Sequence, residues 1–361
     1  MVIGMDNIRV ALVGVGNSSS ALVQGVHYYQ NVKAGERVPG LLHVNFGEYP
    51  VKALKFVAAF DVDARKVGSD LADAIYSEPN NTRVFCKVPQ LGVKVMKGNL
   101  LDGLGRFVKN VVKVRQDEAA VDVADVLREV DADLLVNYLP VGSDQATQWY
   151  AEQALDAGCA FVNCIPSFIA SVPAWQKRFE QARLPVAGDD VMSQVGATVI
   201  HKTLMKLLVD RGALVEESYQ LNVGGDTDFL NMIEEDRLLS KRESKTQAVQ
   251  AMVPYAIPLK IGPSDYVSFL KNTKICYILI NGKYFGDTPV KIDLKLEVMD
   301  SPNSAGIVID AIRATKIALD RGVSGPLTSI SAYAFKHPPE HAPYEVAQAW
   351  VEDFIDGKRE R

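Results

Sequence analysis

The segment that decides the fold of this chain is Ile8-Arg9-Val10-Ala11-Leu12-Val13-Gly14-Val15-Gly16-Asn17-Ser18-Ser19-Ser20-Ala21-Leu22. Its apolar first half predicts a buried parallel strand, and two glycines follow directly before a helix begins. A strand, a glycine turn and a helix N-terminus together form an anion site. The glycines let the backbone approach a phosphate, and the N–H groups at the helix start point toward it.

The glycine motif is incomplete, because the third glycine of G-x-G-x-x-G would fall at Ser19. An ordinary strand-to-helix turn is therefore the alternative interpretation. The strand–turn–helix context near the start of the chain favours a nucleotide site.

Composition restricts the class of protein. The chain has 361 residues, of which 48% are hydrophobic and 23% are charged, and this is typical of a globular protein with room for two domains. A net charge of -5 argues against a nucleic-acid partner. The four cysteines lack zinc-finger spacing and predict reduced thiols. Neither a membrane-spanning run nor a signal peptide is visible, so we expect a cytoplasmic protein without a membrane partner.

A second predicted strand, residues 55–60, ends at Asp61. NAD proteins place an acidic residue at this point, where it binds a ribose hydroxyl. Asp61 follows Gly14 by far more than the usual spacing of roughly 20 residues, and the Gly- and Pro-rich segment 31–51 accounts for the difference as an insertion. The alternative is that Asp61 caps a helix predicted over residues 64–75.

Strands and helices alternate over the first 200 residues, which predicts an α/β fold with a doubly wound parallel sheet. Ligands bind at the carboxyl edge of such sheets. Polar or glycine residues follow the predicted strands at this edge, namely Gly16, Asp61, Asn137, Asn163, Asp189 and Asp190. A ligand site there is therefore expected.

The pattern changes after residue 212. Alternating segments over 218–223, 276–280 and 292–298, with a hairpin turn at Asn281-Gly282, predict a mainly antiparallel sheet. A helix over 305–320 is apolar nearly all round, so we expect it to be buried and to return to the first domain. The predicted organisation is a discontinuous Rossmann-like NAD-binding domain, residues 1–197 and 303–361. An α+β domain, residues 198–302, is inserted into it for catalysis and oligomerisation.

Several polar clusters in the second half could carry chemistry. Lys241 and Lys245 are four residues apart and share a helix face, which costs stability unless an anion lies between them. The alternatives are a solvated face for the two lysines, a helix cap for Asp300 and a surface turn for Lys336.

The chain resembles the myo-inositol-1-phosphate synthase family, in its shorter prokaryotic form, over nearly its whole length. The segments that carry the resemblance are Val13-Gly14-Val15-Gly16-Asn17 with Leu22-Val23-Gln24-Gly25, Ala59-Phe60-Asp61-Val62-Asp63, Tyr138-Leu139-Pro140-Val141-Gly142-Ser143, Gly188-Asp189-Asp190 with Ser193-Gln194-Val195-Gly196-Ala197-Thr198, residues 221–232, Ser244-Lys245-Thr246-Gln247-Ala248-Val249 and residues 300–306.

The resemblance implies conversion of D-glucose 6-phosphate to 1D-myo-inositol 3-phosphate with catalytic NAD, the first step of inositol biosynthesis. C5 is oxidised, C6 loses a proton, C6 and C1 join in an aldol closure, and the hydride returns. The resemblance also implies a homotetramer with the inserted sheet at its interface. It leaves a divalent or monovalent ion open, for which Asp190, Ser193 and Asp228 offer oxygen ligands.

Site residues follow from the motifs and the resemblance together. The expected catalytic residues are Lys241, Lys245, Lys336, Asp190, Asp228 and Asp300. The expected cofactor-binding residues are Gly14, Val15, Gly16, Asn17, Ser18, Asp61, Asn137, Pro140, Asn163, Asp189, Asp190 and Ser193. Lys241 and Lys336 are assigned electrostatic and proton-transfer roles, Lys245 binds phosphate or an oxyanion, and Asp228 and Asp300 orient the lysines or the sugar.

Two positions depart from the family pattern. Asp265 stands where a G-D-S-K stretch carries a lysine, and Lys260 is a possible substitute. Asp226 stands where an asparagine is usual. The alternatives are an NAD-dependent dehydrogenase with net hydride transfer and a non-catalytic nucleotide-binding homologue.

Overall fold

A computed structural model describes residues 7–237 and 239–361, without the side chains of Leu239 and Lys241. The strands are β1 (Ile8–Val13), β2 (Asn45–Phe46), β3 (Tyr49–Pro50), β4 (Leu54–Asp61), β5 (Val95–Lys97), β6 (Leu134–Asn137), β7 (Ala160–Asn163), β8 (Pro185–Ala187), β9 (Leu214–Gly224), β10 (Leu259–Tyr266), β11 (Thr273–Tyr284), β12 (Thr288–Met299) and β13 (Gly325–Pro326). The helices are α1 (Asn17–Tyr28), α2 (Leu71–Ala74), α3 (Val123–Glu129), α4 (Asp144–Ala157), α5 (Pro173–Ala182), α6 (Ala197–Asp210), α7 (Thr227–Asn231), α8 (Leu239–Gln250), α9 (Asp300–Asp320), α10 (Thr328–Ala334) and α11 (Tyr344–Ile355).

The large sheet has the strand order β13-β8-β7-β6-β1-β4-β5, and its strands pair in parallel. Successive side chains of β1 enter two different apolar cores, one beneath α1, α9 and α10 and the other beneath α3, α4 and α5. The strand order changes direction between β1 and β6, and a crevice opens at such a point at the carboxyl ends. The predicted doubly wound α/β fold is confirmed.

Helix α9 is buried along most of its length, as its apolar pattern predicts, and it packs on α1 and against β6, β7 and β8 of the large sheet. The buried Arg313 of α9 donates to the carbonyls of His43, Val44 and Tyr49, so it ties the 31–51 insertion to this helix. Among the described helices, none has the length and apolar character needed to cross a bilayer.

The small sheet has the order β10-β9-β11-β12, with β10 parallel to β9 and the other pairs antiparallel. Helices α6 and α8 cover one face. The hairpin predicted at Asn281-Gly282 is wrong, because both residues lie within β11. A Cβ at Gly282 would meet the Leu214 carbonyl oxygen at 2.5 Å, so glycine serves a close strand contact there. The turn lies three residues later, at Phe285–Asp287.

The predicted helix over 64–75 is also shorter than expected, since only Leu71–Ala74 is helical. The Gly68 N–H donates to Val95 and the Leu71 N–H to Val93, so this segment lies against β5 as turns. Strands β1 to β8 precede residue 198, strands β9 to β12 lie within residues 198–302, and β13 follows. The boundaries of the two domains, 1–197 with 303–361 and 198–302, stay a prediction.

Candidate active site

One cavity runs along the carboxyl ends of the large sheet and continues to the small sheet. The predicted site residues that line it are Gly14, Gly16, Asn17, Ser18, Asp61, Pro140, Asp190, Ser193, Asp228, Lys245, Asp300 and Lys336. The predicted Lys241 lies in α8, and its side chain is outside the described residues. Residues that the sequence places far apart therefore meet in one space.

The glycine turn is shaped by close backbone packing. Gly14 has a φ of +85°, and a Cβ there would lie 2.5 Å from the Tyr138 carbonyl oxygen. Gly16 precedes α1, and a Cβ on it would have no neighbour within 4 Å. The Ser19 hydroxyl, at the place of the third glycine, donates to the Gly14 carbonyl at 2.6 Å. The first turn of α1 is therefore open to an anion, although the motif is incomplete.

Asp61 ends β4 beside this turn. Its Oδ2 accepts from the Val15 N–H at 2.7 Å, and its Oδ1 accepts from the N–H groups of Val62 and Asp63. The buried Lys66 ammonium lies 4.0 Å from Oδ2. Asp61 is thus held by the backbone in the cavity wall and does not cap a helix. Val15, predicted to bind cofactor, is buried behind the wall and orients this carboxylate.

An apolar slot in the same cavity was not predicted. Its wall contains Leu100, Leu104, Val108 and Val112 from the connection after β5. These residues carry no periodic pattern that distinguishes a ligand slot from ordinary packing. Their location in the cavity with Asp61 appears only in three dimensions.

Three predicted cofactor residues do not reach the cavity. Asn137, Asn163 and Asp189 are fully buried, and their side chains form a hydrogen-bonded row across the ends of β6, β7 and β8. The Asp189 carboxylate also accepts from the backbone of residues 169–171. These groups fasten the loops behind the cavity, and their contact with a cofactor stays a prediction.

Asp190 and Lys336 form an ion pair at the cavity, with 2.8 Å between Nζ and Oδ1. The Lys336 ammonium also donates to the Val191 carbonyl at 2.6 Å, and the Ser244 hydroxyl donates to Asp190 Oδ2 at 2.5 Å. Ser244 is fully buried on α8, next to Lys245. This triad of Lys336, Asp190 and Ser244 therefore joins the edge of the large sheet to the lysine-bearing helix of the small sheet.

A second ion pair lies on the small-sheet side. The Lys274 ammonium is 3.2 Å from Asp300 Oδ1, and both residues line the cavity. Lys274 was not predicted, although a signal was present. It precedes Cys276 and Ile278 at spacing two, so this lysine continues the inward side of the strand that is predicted over residues 276–280.

The structure shows what Asp226 and Asp265, the two residues that depart from the family pattern, do in this chain. Asp226 caps α7, since its Oδ1 accepts from the Phe229 N–H at 3.0 Å. Asp265 and the suggested substitute Lys260 are both exposed on β10, and neither lines the described cavity. Lys274 lines this cavity together with Lys245 and Lys336.

Two buried groups near the Lys336–Asp190 pair, Cys164 and Tyr138, are neutral. Burial raises the pKa of the Cys164 thiol and that of the Tyr138 hydroxyl well above their ordinary values, so neither carries charge at pH 7. Within residues 7–237 and 239–361, no three His, Cys, Asp or Glu side chains converge as metal ligands do.

Comparison with known proteins gives consistent matches. The model of the family described as myo-inositol-1-phosphate synthase matches residues 196–301. The chain is 52% identical to an inositol-3-phosphate synthase of Mycolicibacterium smegmatis, over 97% of this chain and 98% of that protein. It is also 52% identical to one of Mycobacterium tuberculosis, over 97% of this chain and 96% of that protein.

A solved structure shares the fold. A myo-inositol-1-phosphate synthase-related protein from Thermotoga maritima superposes with a TM-score of 0.81 at 26% identity, covering 97% of this chain and 98% of that chain. The similarity therefore includes both sheets.

Proposed function

The chain belongs to the myo-inositol-1-phosphate synthase family, and we propose that it converts D-glucose 6-phosphate to 1D-myo-inositol 3-phosphate with NAD as a catalytic cofactor. One observation carries the proposal. The glycine turn with Asp61 and the ion pairs Lys336–Asp190 and Lys274–Asp300 face the same cavity. A reaction that needs both a nucleotide and several cations around a sugar fits this arrangement.

The glycine-turn side of the cavity fits NAD. The first turn of α1, at Gly16, Asn17 and Ser18, would hold the pyrophosphate, and Asp61 would accept from a ribose hydroxyl. The apolar slot would take the adenine. When bound, NAD accepts a hydride from C5 of the sugar and later returns it.

The Lys336 ammonium is assigned to the oxygen on C5. Once C5 is a ketone, loss of a proton from C6 gives an enolate, and a fixed cation beside its oxygen stabilises the negative charge. Asp190 and the Val191 carbonyl hold this ammonium in place, and Ser244 holds Asp190. Little reorganisation is then needed when charge develops.

The Lys274 ammonium is assigned to the C1 end of the sugar. In the aldol closure C6 bonds to C1, and the C1 oxygen must gain a proton. Lys274 would donate it, with Asp300 orienting the ammonium. Lys245 on α8 would bind the phosphate, and Asp228 would orient the sugar. Lys241 keeps the electrostatic and proton-transfer role that the family resemblance implies.

Asp190, Ser193 and Asp228, which line the cavity, would supply oxygen ligands to a divalent ion, and no step is routed through one. The assembly we propose is a homotetramer joined through the small sheet. Tyr219, Leu221 and Tyr277 lie together on its uncovered face, each more than a third exposed. A second copy of the same face would bury this aromatic and aliphatic surface.

Product analysis tests the function. Purified protein is incubated with glucose 6-phosphate and NAD, with and without EDTA, while inositol phosphate and the NADH absorption band are followed. We expect inositol phosphate without accumulation of NADH. NADH without inositol phosphate would identify a dehydrogenase, and neither product with nucleotide still bound would identify a non-catalytic homologue. Loss of activity with EDTA would show that an ion is required.

A further inference from the structure

Asn272 lies immediately before β11, at the junction between the large-sheet side and the small-sheet side of the cavity. It is 1% exposed, and both atoms of its amide are hydrogen-bonded. Its Oδ1 accepts from the Thr82 hydroxyl and the Ser301 N–H, and its Nδ2 donates to Asp226 Oδ2 and Ser301 Oγ. These bonds use the full donor and acceptor capacity of an asparagine amide.

Asn272 also caps α9 from another part of the chain. Helix α9 begins after Met299, whose side chain accepts no hydrogen bond. The first N–H of the helix, from Asp300, donates to the Asn272 carbonyl at 2.9 Å, and the second, from Ser301, donates to Oδ1 at 3.1 Å. Asn272 therefore fixes the backbone of Asp300. Lys274, the ion-pair partner of Asp300, follows Asn272 by two residues in the chain.

The Asp226 contact fixes a second helix. Asp226 Oδ2 accepts from Asn272 at 3.1 Å while Oδ1 caps α7, which carries Asp228. Gly225 lets this turn pack against the segment before β11, since a Cβ there would clash with the Val267 carbonyl oxygen. The Asn272 amide thus determines the positions of Asp228 and of the Lys274–Asp300 pair.

The Thr82 contact reaches the nucleotide side. Thr82 donates its hydroxyl to Asn272 at 3.0 Å, and its N–H donates to Asn17 Oδ1 at 3.0 Å. Asn17 opens α1 directly after the glycine turn. Asn272 is therefore two hydrogen bonds away from the helix start that faces the cavity.

We propose that Asn272 is a positioning residue that aligns Asp228 and the Lys274–Asp300 pair with the nucleotide-binding turn. The inference rests on the proposed function, because alignment matters only where sugar and nucleotide react together. No other side chain of this size offers two donors and two acceptors, so each substitution leaves a buried partner unsatisfied.

An exchange of residues tests the proposal. Asn272→Asp places a second carboxylate 3.1 Å from Asp226, and like charges at that distance repel in a buried site. Adding Asp226→Asn restores one donor and one carboxylate across the same contact. The new amide can still cap α7 through its oxygen, and the new carboxylate can still accept from Thr82 and Ser301. The double variant therefore restores a donor–acceptor contact between positions 226 and 272, with the carboxylate moved from position 226 to position 272.

The measurements are kcat, KM for glucose 6-phosphate, NADH affinity by fluorescence titration and melting temperature. Asn272→Asp is expected to lower kcat at least ~100-fold while NADH affinity changes less than about threefold. The double variant is expected to recover kcat to within about tenfold of the unmodified protein. Asn45→Asp makes the same change on an exposed asparagine and is expected to leave kcat unaltered.

The outcomes separate the two proposals. A fully active Asn272→Asp variant would overturn the positioning role, and so would a double variant that folds like the unmodified protein but stays as inactive as Asn272→Asp. If Asn272→Asp alone does not fold, the double variant still decides, since it restores the contacts. An unmodified protein that makes no inositol phosphate would instead overturn the proposed function.

Discussion

The two sides of the cavity are built in different ways. On the nucleotide side, backbone groups supply most of the contacts, since Gly14, the start of α1 and the N–H groups around Asp61 are close in sequence or in adjacent strands. On the lysine side, the polar groups come from distant side chains joined by buried contacts, such as Asp190 with Ser244 and Lys274 with Asp300.

This difference indicates which substitutions affect which function. A change on the nucleotide side acts through backbone geometry and should alter cofactor affinity. A change on the lysine side acts through charge placement and should alter turnover while NAD still binds. Measuring cofactor affinity and turnover in the same variant separates these two effects.

The largest effect is expected from Lys274→Met. This change deletes one fixed cation of the cavity and the ammonium that faces the Asp300 carboxylate, so kcat should fall about 10³-fold. NADH affinity, measured by fluorescence titration, should remain within about threefold of the unmodified protein. Lys283→Met, at the other end of β11 and paired with Glu216, is the matched control and should keep its activity. A Lys274 variant with normal turnover would remove this residue from the mechanism.

Gly14→Ala should weaken NADH binding about 100-fold. The new Cβ would meet the Tyr138 carbonyl oxygen at 2.5 Å in a backbone of positive φ, and together these effects cost about 2–3 kcal/mol. Gly35→Ala is the control for φ alone, because Gly35 has a φ of +84° and a Cβ there has no neighbour within 4 Å. Equal loss of NADH affinity in both variants would show that the close contact has no specific role.

Ser244→Ala should reduce kcat about tenfold with little change in NADH affinity. The hydroxyl donates to the buried Asp190 carboxylate, and such charge-assisted bonds contribute roughly 1.5–3 kcal/mol. Steady-state kinetics at saturating NAD measure the effect, with the exposed Ser264→Ala as control. If KM for NAD rises instead of kcat falling, the triad serves the nucleotide side.

These cases also show what the sequence could predict. The glycine turn, Asp61 and the doubly wound sheet were predictable because local residue types and strand ends determine them. The Asp190–Ser244 and Lys274–Asp300 contacts were not, since they join segments whose approach depends on the packing of the whole fold. For the same reason Asn137, Asn163 and Asp189, correctly placed at the sheet edge, could not be distinguished from residues that reach the cavity.

The smallest effects concern the free energy of unfolding, through two histidines whose pKa values are shifted in opposite directions. Burial acts to lower the pKa of His43, but its bonds to Asp310 and Glu352 outweigh burial, so the pKa is raised. The stabilisation from His43 is then present below about pH 6.5 and is lost as pH rises through the folded pKa. The loss of unfolding free energy in His43→Gln should be larger at about pH 6 than at about pH 9 in urea titrations.

His201, on α6 beneath the small sheet, behaves in the opposite way. Burial lowers its pKa to about 4, so the unfolded chain binds this proton more readily than the folded one. The unmodified protein should therefore lose roughly 1 kcal/mol between about pH 7 and pH 5.5 that His201→Gln does not lose. Parallel pH dependence in the two variants would contradict the assigned environments.

Turnover with limiting NAD tests most directly whether both sides of the cavity act on one sugar. The protein is given glucose 6-phosphate in large excess over NAD, and inositol phosphate is counted against NADH. If both sides of the cavity act on one sugar, each NAD should support many equivalents of inositol phosphate and NADH should not accumulate. Consumption of glucose 6-phosphate that stops at one equivalent per NAD, with NADH formed in equal amount, would contradict the account.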